Sequence, residues 1–338
     1  MTRGRASRYV RVMMRLRVGV VVAFGLAVTA SCGGKKDPAK APDPGSGSGS
    51  GSGSSVAVAP AKKPRVAVSI FPLYDITRRI AGDRVDVQLV LPAGKSEHSY
   101  DPSPREIEAL EGSTLGLAVG LDMDTWIENI LKNVGNPTVV HLGDKVKTMP
   151  INTTPIGADP DDHDPDEVIG APDPHVWMDP ERMATMADAI TAELDKLDPA
   201  GKATFDANDV KVKADLVALD TALVARTKTW SKHVIVTFHG SMSYFAKKYG
   251  ITIAAVVEPI AGKEPTAHYI DDVLKAIKKG NAAALFTEPQ FERAPGETIS
   301  KEGKIPLGEL DPVGGVEGRD SYEKLLTWNA DQMEKLLK

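Results

Sequence analysis

The chain has almost no cysteine. Cys32 is the only one in 338 residues, so a disulfide within the chain is impossible even in the oxidising compartment that export implies. Basic stripes are missing as well: the formal charge is −5, and nothing in the body of the chain favours nucleic acid as a partner. No HExxH run of the kind that marks a zinc hydrolase occurs, and no repeat of domain size. The leading apolar run, Val18 to Val28, is too short to span a bilayer comfortably. What is present is 42% hydrophobic residues over a length that allows two lobes, which suits a globular protein with proper cores.

The start, MTRGRASRYVRVMMRLR, holds six arginines and no acid, and leads through the apolar run into TASC. This order is that of an export signal over residues 1–31. Its removal takes six positive charges and moves the formal charge from −5 to −11. Cys32, directly after Ala30-Ser31, resembles a bacterial lipoprotein processing site in which the cysteine becomes the lipidated first residue, although Thr29 stands where such sites favour leucine. Residues 33–64 are rich in Gly, Ser, Pro and Ala and cannot bury a core, so 32–64 reads as a lipidated cysteine and a tether. Such a coil reaches on the order of 30 Å. The expected location is the extracytoplasmic side of the cell envelope, with the membrane reached through the lipid.

From Arg65 short β-rich runs alternate with helical ones: residues 66–70, 85–91, 115–119 and 138–142, then 234–238, 253–257, 283–287 and a short strand near Pro306 to Leu310. Alternation of this kind predicts parallel strands flanked by helices. A first helix is expected from near Leu73 to Gly82, and Ser103-Pro104-Arg105-Glu106 has the form of a capping box with proline in the first turn. Met183, Met186, Ala187, Ile190, Leu194 and Leu197 recur at helical spacing, followed by Val212, Leu216, Leu219 and Leu223. The fold class that results is α/β in two lobes, 65–180 and 231–338, joined by a long helix within 181–230. Ligands of open α/β sheets sit beyond the carboxyl ends of the strands. His98, His175, His239 and Asp311 all fall in such loops.

Four segments, GKSEHSYDPSP (94–104), DPHVWMDP (173–180), VTFHGSMSYFAKKYG (236–250) and GELDPVGG (308–315), together resemble the metal-binding solute receptors of bacterial ABC importers, in the zinc and manganese cluster. EPQF (288–291) and LDPVG (310–314) are similar to its zinc branch. The resemblance runs from about Arg65 to the C-terminus. It implies a metal held between the lobes by His98, His175, His239 and Asp311. It also implies delivery of Zn²⁺, as cargo, to a permease and its ATPase, by a receptor that is a monomer and not an enzyme. Imidazole and carboxylate suit tetrahedral zinc, and an imidazole at 239 favours zinc over manganese, which would take more oxygen.

Around these ligands, Glu97, Asp173 and Glu288 are candidates to orient an imidazole, and Glu97 is also a substitute ligand. Tyr100 and Trp177 are expected to pack around the site. His163, in the acidic insertion 158–173, is a candidate for weak metal collection; His141, His233 and His268 lie outside the matching segments. The chain departs from the family in lacking the disulfide often found in the second lobe, and in a loose fit over 257–266. Three other functions stay open: a manganese or iron receptor of the same fold, a metal-binding adhesin or buffer, and a zinc hydrolase. Binding is expected to weaken toward pH 5, because protonated histidine cannot coordinate, and the connecting helix is expected to limit hinge motion.

Overall fold

Continuous apolar runs need cover on both faces, and the central strands of each sheet obtain it while most of the edges are half-buried. The computed structural model describes residues 63–158 and 169–338; the export signal, Cys32, the tether up to residue 62 and His163 lie outside the described residues. Strands β1 (Arg65–Val68), β2 (Asp86–Leu89), β3 (Leu115–Ala118) and β4 (Thr138–His141) form a parallel sheet in the order β2-β1-β3-β4. Strands β5 (Val234–Thr237), β6 (Thr252–Val256), β7 (Leu285–Thr287) and β8 (Leu307–Glu309) form a second parallel sheet in the order β6-β5-β7-β8. The two orders are the same. Every residue of β3 and β7 is buried, as strands sandwiched between helices must be.

The first helix, α1 (Phe71–Ala81), begins two residues before the expected Leu73. Pro72 sits in its first turn, where a missing N–H costs nothing. Ser103 and Glu106 do form the capping box, with Ser103 N donating to Glu106 Oε2 at 2.7 Å, although helix α2 (Pro104–Glu108) is a single short turn. Helix α3 is Trp126–Lys132.

The helical stretch between the sheets is two helices, α4 (Pro180–Leu197) and α5 (Lys202–Thr227), packed against each other. The break falls at Asp198-Pro199, because proline has no N–H to continue the ladder. Met183, Met186, Ala187, Ile190 and Leu194 are buried on α4, as are Phe205, Val212, Leu216, Leu219 and Leu223 on α5. At 26 residues, α5 is the long helix of the fold and spans about 39 Å.

The remaining helices are α6 (Ser243–Tyr249), α7 (Ala267–Gly280), α8 (Ala294–Gly303) and α9 (Tyr322–Leu337). One arginine ties three helices of the body together. Arg79 on α1 donates to Glu323 of α9 and to Asp215 of α5, each at 2.6 Å. Beside it, the buried Asp75 accepts from the backbone N of Tyr322 at 3.0 Å. No helix among the described residues is long and apolar enough to cross a membrane.

Candidate metal centre

Parallel pairing places His239. The chain leaving β5 and the chain leaving β6 run on side by side, so Glu258 N donates to Phe238 O at 2.7 Å. Next to that bond, His239 Nδ1 lies 3.3 Å from Glu258 O. A carbonyl only accepts, so Nδ1 carries the proton and Nε2 presents a lone pair.

His175 is fixed by its neighbour two residues earlier. A single carboxylate oxygen of Asp173, Oδ1, accepts from the backbone N of His175 at 3.0 Å and from its Nδ1 at 2.8 Å. Again Nε2 is left as the acceptor. Asp173 is in turn held by Tyr244 of α6, whose hydroxyl donates to Asp173 O at 2.8 Å. Behind the ring, the fully buried Trp177 lies 5.3 Å from the His175 centroid and donates Nε1–H to Pro312 O at 2.8 Å.

His98 completes the group from the loop after β2. Its Nε2 is 3.1 Å from His175 Nε2 and 3.0 Å from His239 Nε2. Two of these three nitrogens are bare acceptors, so His98 Nε2 supplies the proton between them. The three ligand atoms lie within 4.8 Å of one another, the one such group among the described residues. A tetrahedral zinc shell, with Zn–N near 2.0–2.1 Å, has an edge of about 3.3 Å, so small outward shifts would convert the cluster into three ligands. The rings open onto a cavity of about 500 Å³ walled also by Gly120, Asp122, His141 and Pro259.

The rings are also poised electrically. Burial, followed by the fields of His239 and His175, holds His98 well below the ordinary imidazole range. Burial and then His175 push His239 down to about 3. Both are neutral at pH 7, the form that coordinates.

The carboxylates behave differently. Glu97 has 0% exposure, and neither of its carboxylate oxygens has a partner; its backbone carbonyl accepts from Trp126 Nε1 at 2.9 Å. Burial raises its pKa. Glu288 is raised well above the usual range by burial and then by the charge of Glu97, and it accepts from Ser241 Oγ at 2.6 Å. Neither of the two hydrogen-bonds an imidazole; Asp173 alone of the three candidates does.

Asp311 lies outside the histidine group, and both of its oxygens are engaged. Oδ1 accepts from Gln290 Nε2 at 2.9 Å and from the backbone N of Val313 and Gly314, each at 3.0 Å. Oδ2 is ion-paired with Arg319 Nη1 at 2.9 Å, a contact of charge in which neither Nη1 nor Nε is aligned to donate a hydrogen bond. Its backbone is pinned as well, by the buried Asn329 of α9 at 2.8 and 2.7 Å.

Tyr100 stacks edge-on against Trp126 at 5.3 Å. His141 is paired with Glu128 at 2.9 Å on the cavity wall, and His233 faces Trp230 O at 3.0 Å. The roles of Trp126, Tyr244, Asn329 and Arg319 escaped the sequence reading. Gln290 was in view only as part of EPQF, with no signal that it would reach Asp311.

A family model described as zinc-uptake complex component A, periplasmic, matches residues 66–336. The iron ABC transporter substrate-binding lipoprotein MtsA of Streptococcus pyogenes serotype M1 is 28% identical over 284 residues, covering 81% of this chain and 88% of the relative. The crystal structure of ZnuA superposes with a TM-score of 0.71 at 24% identity, over 82% of this chain and all of that one, which establishes the shared fold. The substrate-binding protein FpvC of Pseudomonas aeruginosa, in complex with Mn²⁺, gives 0.69 at 25% identity over 82% and 99%. Two parallel sheets, a histidine cluster beyond their strand ends and a family match spanning nearly the whole described body agree, and the chain belongs to the family of the periplasmic zinc-uptake complex component A, among metal ABC transporter substrate-binding proteins.

Proposed function

We propose that this protein captures Zn²⁺ outside the cytoplasm and delivers it to the permease and ATPase of an ABC importer. The observation that carries the reading is the convergence of three Nε2 atoms, from His98, His175 and His239, at 3.0 and 3.1 Å. A carboxylate closes the shell. Asp311 takes that place when it turns from Arg319; the alternative is Glu97, favoured by its two unpartnered oxygens. Three neutral nitrogens favour zinc over the oxygen-preferring manganese. A closed four-ligand shell leaves no position for a catalytic water, which supports a carrier over a hydrolase.

Lipidation at Cys32 would hold the protein on the membrane, with residues 33–64 as the tether and the body in two lobes, 65–180 and 231–338, about the connector 181–230. The protein acts as a monomer. His163 and the acidic stretch around it, just ahead of His175 in sequence, would gather cations weakly.

The deciding experiment exposes the purified protein to equal Zn²⁺, Mn²⁺ and Fe²⁺, desalts it, and measures retained metal by elemental mass spectrometry. Retention of zinc is expected. Preferential retention of manganese or iron overturns the zinc assignment and leaves the receptor of the same fold for those ions. Zinc uptake lost on deletion of the chain and restored by its return would separate an importer's receptor from an adhesin or a buffer.

A further inference from the structure

Asp311 is surrounded by donors before any metal arrives. Three donors crowd Oδ1, which exceeds its two lone pairs, so that oxygen has nothing left to offer. Any bond to a cation must come from Oδ2, and Oδ2 faces the Arg319 guanidinium at 2.9 Å. Arg319 is itself held in place. Its guanidinium lies 4.3 Å over the Trp328 ring, and its backbone carbonyl accepts from Gly315 N at 3.0 Å. The backbone of Asp311 cannot follow a metal, because Asn329 grips its N–H and C=O together.

The charges around the pair are one-sided. Glu97, Glu288 and Asp311 are all 3% exposed or less, and the field of Asp311 acts on both glutamates. Arg319 lies against Asp311 with Nε and Nη1 buried and without hydrogen-bond partners, so its hold on Oδ2 is that of charge alone. A fixed cation beside a cation site does two things: it occupies the carboxylate, and it repels the arriving ion in a medium that screens poorly.

We propose that Arg319 competes with the cargo ion for Asp311, so that this ion pair sets how tightly the cation is held and how fast it leaves. The proposal rests on the reading that the histidine cluster holds the metal. Arg319 is a positioning residue: it touches Asp311 and not the histidines.

The test is a cycle of Arg319→Gln, Asp311→Asn and the double variant, each titrated with Zn²⁺ against a fluorescent chelator, with the release rate taken after excess chelator. Arg319→Gln is expected to bind about tenfold tighter or more and to release more slowly, and Arg319→Lys, which keeps the charge, to stay near the parent. Asp311→Asn should cost less than about tenfold in the parent and at least about a hundredfold when Arg319 is Gln. Zinc K-edge absorption should show a carboxylate oxygen in Arg319→Gln that is weaker or absent in Arg319→Gln with Asp311→Asn.

A folded Arg319→Gln that binds zinc no tighter than the parent overturns the proposal. Should that variant not fold, Asp311→Asn decides alone, and a loss beyond about a hundredfold in the presence of Arg319 overturns it. His239→Ala runs in parallel. If it keeps full zinc affinity, the site reading has failed; if it loses affinity while Arg319→Gln shows no gain, only the competition has failed.

Discussion

Three Nε2 atoms face one another at 3.0 and 3.1 Å, whereas three carboxylates, Glu97, Glu288 and Asp311, are buried with a guanidinium against the last of them. The imidazoles are oriented from behind, by Asp173 and by Glu258 O, and their working nitrogens are turned inward. Oδ1 of Asp311 is consumed by three donors and Oδ2 is neutralised by a guanidinium, while the oxygens of Glu97 are bare. The difference follows from chemistry. A neutral imidazole can be fixed through one nitrogen and offered through the other, whereas a carboxylate with one oxygen saturated and the other ion-paired must give up that pair before it can bind a cation.

The largest effect that can break this comparison is removal of an imidazole. His175→Ala or His239→Ala should lower zinc affinity by about a thousandfold or more, read by chelator competition. Equal losses from Asp311→Asn would mean that the two sides are not different in kind.

Acid comes next. His98 and His239 stay neutral in the folded chain below the pH at which a free imidazole takes a proton, so the unfolded chain binds more protons there. Stability of the metal-free protein should therefore fall as pH drops below about 6.5, by up to about 1.4 kcal/mol per pH unit for each such ring. For His239 the window runs down to about 3. Urea unfolding at pH 7 and pH 5 checks this, and His239→Gln should flatten the slope. The ordinary imidazole value suggests loss of binding toward pH 5; the depressed pKa values of these two rings move their part of that loss lower.

Asp173→Asn should weaken zinc binding about ten- to a hundredfold by releasing the His175 tautomer, a smaller change than loss of the ring. Chelator competition on this variant separates orientation from coordination. Smallest is Glu97→Leu. Two buried oxygens without partners disappear, and the metal-free fold should gain about 1–2 kcal/mol in denaturant melts while zinc affinity drops. A destabilised Glu97→Leu would show that Glu97 is held by contacts other than those described.

Much of this was legible in the chain itself. Short β-rich runs alternating with helices put the candidate ligands beyond strand ends, and the helical period of Met183 to Leu223 announced the connector. Its break was signalled by Pro199 but masked, because the apolar spacing runs on past that residue almost unshifted. The state of Asp311 was hidden for another reason. Arg319 follows by eight residues across Gly314, Gly315 and Gly318, each with positive φ, and the path of such a loop is set by tertiary packing. Asn329 and Gln290 reach Asp311 from other elements, which no local pattern encodes.

The Arg79 junction has a consequence for how a partner could tell a loaded molecule from an empty one. With α1, α5 and α9 strapped together by Asp215, Glu323 and the Asp75–Tyr322 contact, these three helices have little room to move against one another. Occupancy would then be registered first inside the site, in the orientation of the rings at His98, His175 and His239 and in whether Arg319 still holds its carboxylate. What would reach the surface is electrostatic: a guanidinium released from its carboxylate alters the local field without any helix having to move.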